Sequence, residues 1–128
     1  MGVYEAVATT QCKLIILPRT INRSSRNQTI LAVMSLPESI GRDDIDVYGP
    51  LVLYPGAIEA AEQYLLPPAR PAQSDLRIHA VFDKAELLGV TPDNADVQIT
   101  VIGRFISGEY FYDTDTVRII SPADVREQ

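Results

Sequence analysis

The sequence predicts an all-β protein, an antiparallel β-sandwich or barrel of about seven strands with one or two short helical turns in the connections. Two observations predict this class. Short stretches in which apolar and polar residues alternate recur along the chain, which is the period of a half-buried strand. Clusters of Gly, Pro, Asn, Asp and Ser separate these stretches at fairly even spacing, as in antiparallel sandwiches and barrels.

The clearest alternation lies near the C-terminal end, in residues 97–120. Ile99 and Val101 share one face there, and the polar residues beside them share the other. Ser107-Gly108 supplies a turn, after which a second alternating run begins. This region therefore predicts a β-hairpin that closes the fold.

The other stretches with strand spacing are shorter. In residues 29–36 apolar side chains fall on both faces, which predicts a central strand covered on both sides. The strands predicted besides the hairpin occupy residues 13–17, 29–36, 47–53 and 76–82, with residues 3–11 as an extended arm or a first strand.

Two connections have helical character. Residues 55–66 contain many good helix formers, with apolar residues at helical spacing, so we expect one or two helical turns there. Residues 83–89 predict a short helical turn closed by a C-cap glycine. Between them, the proline-rich residues 67–72 predict an irregular connector rather than a ligand for proline-binding modules.

The chain has 128 residues, 46% of them apolar, which suits one domain with one core. We divide it into an N-terminal arm with the first strand at residues 1–17, a sandwich core at residues 18–122 and a C-terminal tail at residues 123–128. A net charge of −6 argues against nucleic acid as a partner, because phosphate backbones require a basic surface. No apolar run approaches the roughly 20 residues of a spanning helix, so we expect no membrane-spanning segment.

Few residues offer metal or redox chemistry. Cys12 is the only cysteine, which excludes an internal disulfide; it is either a small buried apolar residue or an intermolecular thiol. His79 is the only histidine, and we expect it to be exposed on a strand. The acidic sequence Asp43-Asp44-x-Asp46 lacks the ligand spacing of a calcium loop and predicts a solvated turn. We therefore expect no metal and no cofactor.

A catalytic interpretation also finds little support in the sequence. Hydrolysis by paired carboxylates needs two acids at one cleft. The candidates Glu109, Asp113 and Asp115 lie in the predicted hairpin, where acidic residues near turns are common. The chain contains neither a glycine-rich phosphate loop nor a nucleophile elbow. We therefore predict that the protein is not an enzyme.

Several segments, taken together, resemble an immunoglobulin-like module of bacterial and archaeal secreted or cell-surface proteins. The resemblance runs from about residue 18 to residue 120, in the same order and with nearly the same spacing as in that family. The matching segments are T-I-N at 20–22 with Ser25, the run 29–36 followed by P-E at 37–38, D-x-I-D-V at 43–47, V-F-D-K-A-E at 81–86, V-x-I-T-V-x-G at 97–103 and D-T-V-R-I-I at 115–120.

The sequence also departs from the family pattern. Thr29 stands where the family has an aromatic residue, and Asn27 stands where it has a turn glycine. An acidic run often precedes the strand that begins at Val81, and residues 71–75 replace it here. Any stiffening by calcium that this run supplies in the family therefore does not carry over to this chain.

The resemblance implies an immunoglobulin-like sandwich that acts as a structural or assembly module, extracellular or at the cell surface, by contacting other proteins. No signal peptide is visible, so a cytoplasmic location stays open. Residues 2–11 precede the matching region, and we expect them to add a strand to a neighbouring copy of the chain. Asn22 and Asn27 begin two sequons in one turn and are candidate glycosylation sites if the chain is exported.

An alternative function is carbohydrate binding. Alternation in Tyr110-Phe111-Tyr112 places Tyr110 and Tyr112 on one face, where their rings form a candidate stacking platform for a sugar. The chain has no tryptophan, the usual sugar-stacking residue, which weighs against this alternative.

Overall fold

Two β-sheets enclose one apolar core in the computed structural model, which describes residues 9–66 and 76–121. Those residues form ten strands, one short helix and a 3-10 turn at Arg42–Asp44. In chain order the elements are β1 (Thr9–Gln11), β2 (Lys13–Leu17), β3 (Thr20–Asn22), β4 (Thr29–Ser35), β5 (Val52–Tyr54), β6 (Ile58–Glu59), β7 (Glu62–Leu66), β8 (Arg77–Asp83), α1 (Lys84–Leu88), β9 (Ala95–Arg104) and β10 (Tyr110–Ile120).

The first sheet has the strand order β1-β10-β9-β5-β6, and β3 also pairs with β10. The second sheet has the order β2-β4-β8-β7, and all its pairs are antiparallel. Both β1 and β3 run parallel to β10, so the expectation of a purely antiparallel structure is wrong for these two short strands. The all-β class and the two packed sheets are as predicted.

The closing hairpin predicted from the sequence is β9 and β10, joined through Ser107 and Gly108. Most of its inward apolar residues are buried, and the ring of Phe111 lies directly over Gly103, its cross-strand neighbour. Phe111 also packs against Phe105, with ring centroids 5.0 Å apart. The hairpin therefore supplies a large part of the core from its inner face.

The core is continuous between the two sheets. Alternate residues of each long strand point into it, as the period of two in the sequence predicts. Its buried members from the second sheet are Leu14, Ile16, Ile30, Ala32, Met34, Ile78, Ala80 and Phe82. Those from the hairpin are Ile99, Val101, Phe105, Phe111, Val117 and Ile119.

The helix predicted in residues 55–66 is wrong, because this segment forms β6 and β7. A turn with positive φ at Gly56 and Ala57 reverses the chain after β5, and β7 then pairs with β8 over its whole length. The helical propensity of these residues is a weak preference that strand pairing overrides. The strand predicted at residues 47–53 is limited to Val52–Tyr54.

The helix predicted at residues 83–89 is present as α1, with Asp83 as its N-cap. Hydrogen bonds connect it to the end of β3 and the turn that follows, and each of the two segments donates to the other. The buried Lys84 donates from Nζ to Ser25 Oγ at 2.7 Å and to the Asn22 carbonyl at 2.6 Å. In return, Arg23 donates to the Leu88 carbonyl at 2.9 Å.

The strand β4 lies in the middle of its sheet, as predicted, but it is not covered on both sides. Leu31 and Val33 point outward and are only half-buried. His79, expected to be exposed, is half-buried beside Val33 on the same outer face.

The described end of the N-terminal arm pairs with its own chain. Thr9–Gln11 lies along the Tyr110 end of β10, and the Cys12 N–H donates to the Tyr112 carbonyl at 2.9 Å. The rest of the predicted arm, the proline-rich connector at residues 67–72 and the tail at residues 123–128 lie outside the described residues. Among the described residues no helix is long and apolar enough to cross a membrane.

We predict that Gly103→Ala destabilises the fold. A Cβ at this position would lie 2.2 Å from Cζ of Phe111, so the ring or a strand has to shift, and we expect the free energy of unfolding to fall by about 1–3 kcal/mol. Urea denaturation measures this change. The control Gly41→Ala, whose Cβ would meet its nearest atom at 3.8 Å, should stay within about 0.5 kcal/mol of wild type. Equal effects of the two substitutions would contradict the packing described here.

Candidate functional site

The outer face of the first sheet carries a group of aromatic and aliphatic side chains that are exposed or half-buried. Alternation on β5, β9 and β10 turns Leu53, Val101 and Phe111 inward and leaves their neighbours outside. We name the outward group the tyrosine face: Val52, Tyr54, Ile102, Tyr110 and Tyr112. Tyr54 is 42% exposed and Tyr110 is 37% exposed.

Strand register brings these residues together. Val52 pairs with Ile102, and Ile102 pairs with Tyr112, so the three form one row across the sheet. The tyrosine side chains and Ile102 line an open depression of about 520 Å³. The sheet thus holds three rings around an aliphatic floor, an arrangement that binds apolar or planar groups and offers hydroxyls for hydrogen bonds.

A second depression, of about 350 Å³, adjoins the tyrosine face and is more polar. Its lining includes Asp46, Glu59 and Arg104 beside Tyr54 and Tyr110. Arg104 is loosely paired, with its Nε 3.9 Å from Asp46 Oδ2, and it is more than half exposed. A ligand of the tyrosine face therefore meets both signs of charge at one end.

Tyr110 and Tyr112 lie on the same face, in the arrangement that alternation predicts. Tyr54 and Ile102 also belong to this face but were not predicted from the sequence. The alternation in Val52-Leu53-Tyr54 was a usable signal for the direction of Tyr54. The pairing of β5 with β9, which brings it beside the other tyrosines, joins residues about 50 positions apart and leaves no local signal.

The carboxylates of Asp113 and Asp115 lie between the two sheets and bind backbone groups. The N–H groups of Leu14 and Ile16 point away from β4, at the edge of the second sheet. Leu14 donates to Asp113 Oδ2 and Ile16 donates to Asp115 Oδ2, each at 2.8 Å. We name this contact the acidic seam. Its two carboxylates satisfy edge groups of β2, whereas Glu109 lies apart in the exposed hairpin turn.

Arg19 completes the acidic seam through an ion pair with Asp115. Its guanidinium also donates to the Thr116 carbonyl at 3.2 Å. Partial burial raises the pKa of Asp115, but hydrogen bonds from Arg19 and from the Ile16 and Thr116 N–H groups outweigh this and hold the pKa below its ordinary value. The carboxylate is therefore charged and fully engaged at neutral pH.

The thiol of Cys12 is half-buried at the start of the acidic seam. Burial, followed by the negative charge of Asp113, raises the pKa of this thiol from 9.0 to about 11. At neutral pH the thiol is protonated, and a protonated thiol is a poor nucleophile. This disfavours the intermolecular disulfide that the sequence left open.

The remaining candidate residues lie in turns and make local hydrogen bonds there. Asn27 is exposed, whereas Asn22 is half-buried and its Oδ1 accepts from the Ser24 N–H at 2.8 Å. In the acidic turn, Asp44 accepts from the Gly41 N–H and Asp46 accepts from the Tyr48 N–H. Within residues 9–66 and 76–121 no group of three or more His, Cys, Asp or Glu is arranged to hold a metal ion.

We predict that Asp115→Asn weakens the fold at neutral pH. The change removes the charge that Arg19 and the Ile16 N–H bind, at a side chain only 16% exposed, so unfolding should become easier by about 1–3 kcal/mol at pH 7. Chemical denaturation measures the difference. The matched control is Asp96→Asn, which removes a solvent-exposed partner of Arg118 and should cost no more than about 0.5 kcal/mol.

The difference should also depend on pH. Because the folded-state pKa of Asp115 is lowered, its stabilisation is complete above the ordinary aspartate pKa of about 4 and is lost as the pH falls through the lowered value. Wild type and Asp115→Asn should therefore converge in stability below about pH 4. A gap that stays constant from neutral pH down to this acid range would show that the charge of Asp115 is not responsible.

We also predict slow alkylation of Cys12 in the native protein. A pKa of about 11 in place of 9.0 lowers the thiolate fraction at pH 8 by about a hundredfold, and the higher nucleophilicity of such a thiolate offsets part of this, so iodoacetamide should react with the folded chain about ten to a hundred times more slowly than with the urea-unfolded chain. Mass spectrometry of timed samples measures both rates. Similar rates in the two states would mean that Cys12 is neither buried nor influenced by Asp113.

Comparisons with known proteins do not help to interpret this site. A scan against protein-family models, a search of curated proteins and a search of solved structures each returned no match. The candidate site is therefore interpreted from its own residues.

Proposed function

We propose that this protein is a non-enzymatic, immunoglobulin-like structural or assembly module that binds another protein through the tyrosine face. The observation that carries the proposal is the group formed by the exposed Tyr54 and Tyr110 and the half-buried Tyr112 around Ile102 on the outer face of the sheet. Aromatic residues, tyrosine among them, are enriched at protein interfaces, where they bury large areas at low cost in side-chain entropy.

The strand order supports the immunoglobulin-like part of the proposal. Immunoglobulin domains have the strands A, B, E and D in one sheet and C, F and G in the other. The order β2-β4-β8-β7 corresponds to A-B-E-D, and β5-β9-β10 corresponds to C-F-G. The parallel pairing of β1 with β10 adds an N-terminal strand to the second of these groups.

The functional groups of the described residues fit binding better than catalysis. Asp113 and Asp115 bind backbone N–H groups, and the Cys12 thiol is protonated at neutral pH. The tyrosine face instead combines apolar area with the charges of Arg104, Asp46 and Glu59 at one end, which gives a partner both affinity and orientation. The proposed location, extracellular or at the cell surface, rests on the family resemblance alone.

Photo-crosslinking in the cells that naturally express this protein tests the proposal. A photoreactive phenylalanine at position 110 should give a covalent adduct with a partner protein, detected as a band of higher mass. The same residue at position 26 is the control, because Arg26 is exposed in the turn after β3, and β3 pairs with the end of β10 opposite to Tyr110. Adducts at both positions, or at neither, would contradict specific binding at the tyrosine face.

Carbohydrate binding is a second candidate function, favoured by the open depression of about 520 Å³ that the three tyrosines line. Sugar rings stack on such aromatic side chains and hydrogen-bond to neighbouring polar groups. A glycan array probed with the wild-type protein tests this function, with Tyr110→Ala as the comparison. A glycan bound by the wild type and lost in the variant supports the candidate, whereas an array without binding removes it.

A further inference from the structure

The outer face of the second sheet is unusually apolar for a solvent-facing surface. The residues that point outward from β2, β4 and β8 include Ile15, Leu17, Leu31, Val33 and Val81, which we name the aliphatic face. Ile15 is 43% exposed and Leu17 is 40% exposed. A sheet with one solvated face normally carries polar residues at such positions.

Register places these side chains in two adjacent rows. One row contains Leu17, Leu31 and Val81, and ends at Glu62 on β7. The next row contains Ile15, Val33 and His79, and ends at Tyr64. Contiguous apolar area of this kind marks an interaction surface on a soluble protein.

Charge is separated along the strands on either side of the aliphatic face. Beyond the Ile15 row lie Lys13 and Arg77, and beyond the Leu17 row lies Asp83. Neither basic side chain has an ion-pair partner among the described residues, where the ion pairs involve other arginines. In the same part of the chain, Nε of Arg77 is a buried nitrogen without a hydrogen-bond partner.

We propose that the aliphatic face binds the same face of a second copy of this chain, in a two-fold symmetric dimer. The two-fold axis lies in the plane of the contact, between the two apolar rows and perpendicular to the strands. The strands of the two copies therefore run in opposite directions. This axis places Leu31 of one copy opposite Val33 of the other, and Arg77 opposite Asp83. Apolar residues then meet apolar residues, and the basic end of each face meets the acidic end of its partner.

Charge complementarity is the reason for choosing a second copy as the occupant. A face with like charges at both ends would repel itself, whereas this face is basic at one end and acidic at the other, so a two-fold axis pairs opposite signs twice. Packing of two sheets face to face at about 10 Å is also an ordinary arrangement for β-proteins.

The dimer should be weak. Four strands about 4.8 Å apart and four rows of outward residues give a face of roughly 400 Å², about half of what each partner contributes to a standard interface. We expect dissociation constants of about 10–100 µM, so that the monomer dominates in dilute solution. This inference rests on the proposed assembly function and names one of its partners.

Sedimentation velocity of the full chain, from about 5 to 500 µM, tests the dimer. The wild type should shift from monomer to dimer over this range. Ile15→Lys places an unpaired charge in the contact and should weaken dimerisation at least about tenfold. The matched control is Ile106→Lys, at a residue that is 68% exposed in the turn between β9 and β10 of the other sheet, and it should dimerise like the wild type. Arg77→Glu should also weaken the dimer, because it faces Asp83 of the partner with a like charge.

Thermal unfolding at 5 µM shows whether each variant is folded, and a variant that unfolds early is replaced by Leu17→Lys at the same face. A wild type that remains monomeric at 500 µM overturns the inference, as does a dimer that Ile106→Lys weakens and Ile15→Lys does not. The photo-crosslink at position 110 is independent of this result. A monomer that still gives that crosslink refutes the dimer alone, and a dimer without it refutes only the binding role of the tyrosine face.

Discussion

Hydrogen bonds between side chains and backbone groups join the two sheets along both of their sides, and the rest of the structure depends on them. On one side, Asp113 and Asp115 accept from the edge strand β2. On the other side, Gln63 of β7 accepts from the Leu51 N–H at 2.9 Å and donates to the Gly49 carbonyl at 3.1 Å. Edge N–H groups left without partners would be costly where they are buried and would invite strand addition where they are exposed.

Because the edges of the two sheets are bonded within the chain, the two outer faces are the surfaces left for contacts with other molecules. The chain itself switches between the sheets at both sides, from β1 to β2 and back to β3, and from β6 to β7. The two outer faces that remain differ in chemistry, because one carries tyrosines beside charged residues and the other carries aliphatic rows with charge at the ends. A module with two such faces is suited to bind a partner protein on one and a further copy on the other, as proposed above.

The sequence revealed the elements with strong local patterns and missed those that depend on distant partners. Alternation was sufficient for the hairpin and for the inward residues of β8, and the C-cap glycine was sufficient for α1. On β4 apolar residues fall on both faces, so alternation did not show which face is buried. Strand pairing overrode helix propensity in β7. The inward direction of Asp113 and Asp115 broke the apolar alternation of β10, which is a usable signal, but their partners on β2 are 99 residues away. Tyr54 belongs to the candidate site because β5 pairs with β9, and the sequence around Tyr54 does not indicate this pairing.

The acidic seam is tested most directly by amide hydrogen exchange, followed residue by residue with NMR. If Asp113 and Asp115 hold the edge of β2, the amides of Leu14 and Ile16 should exchange as slowly as that of Ile15, which faces β4 inside the sheet. If Leu14 and Ile16 exchange at the rate of an unstructured chain while Ile15 stays protected, the two sheets are not joined in this way.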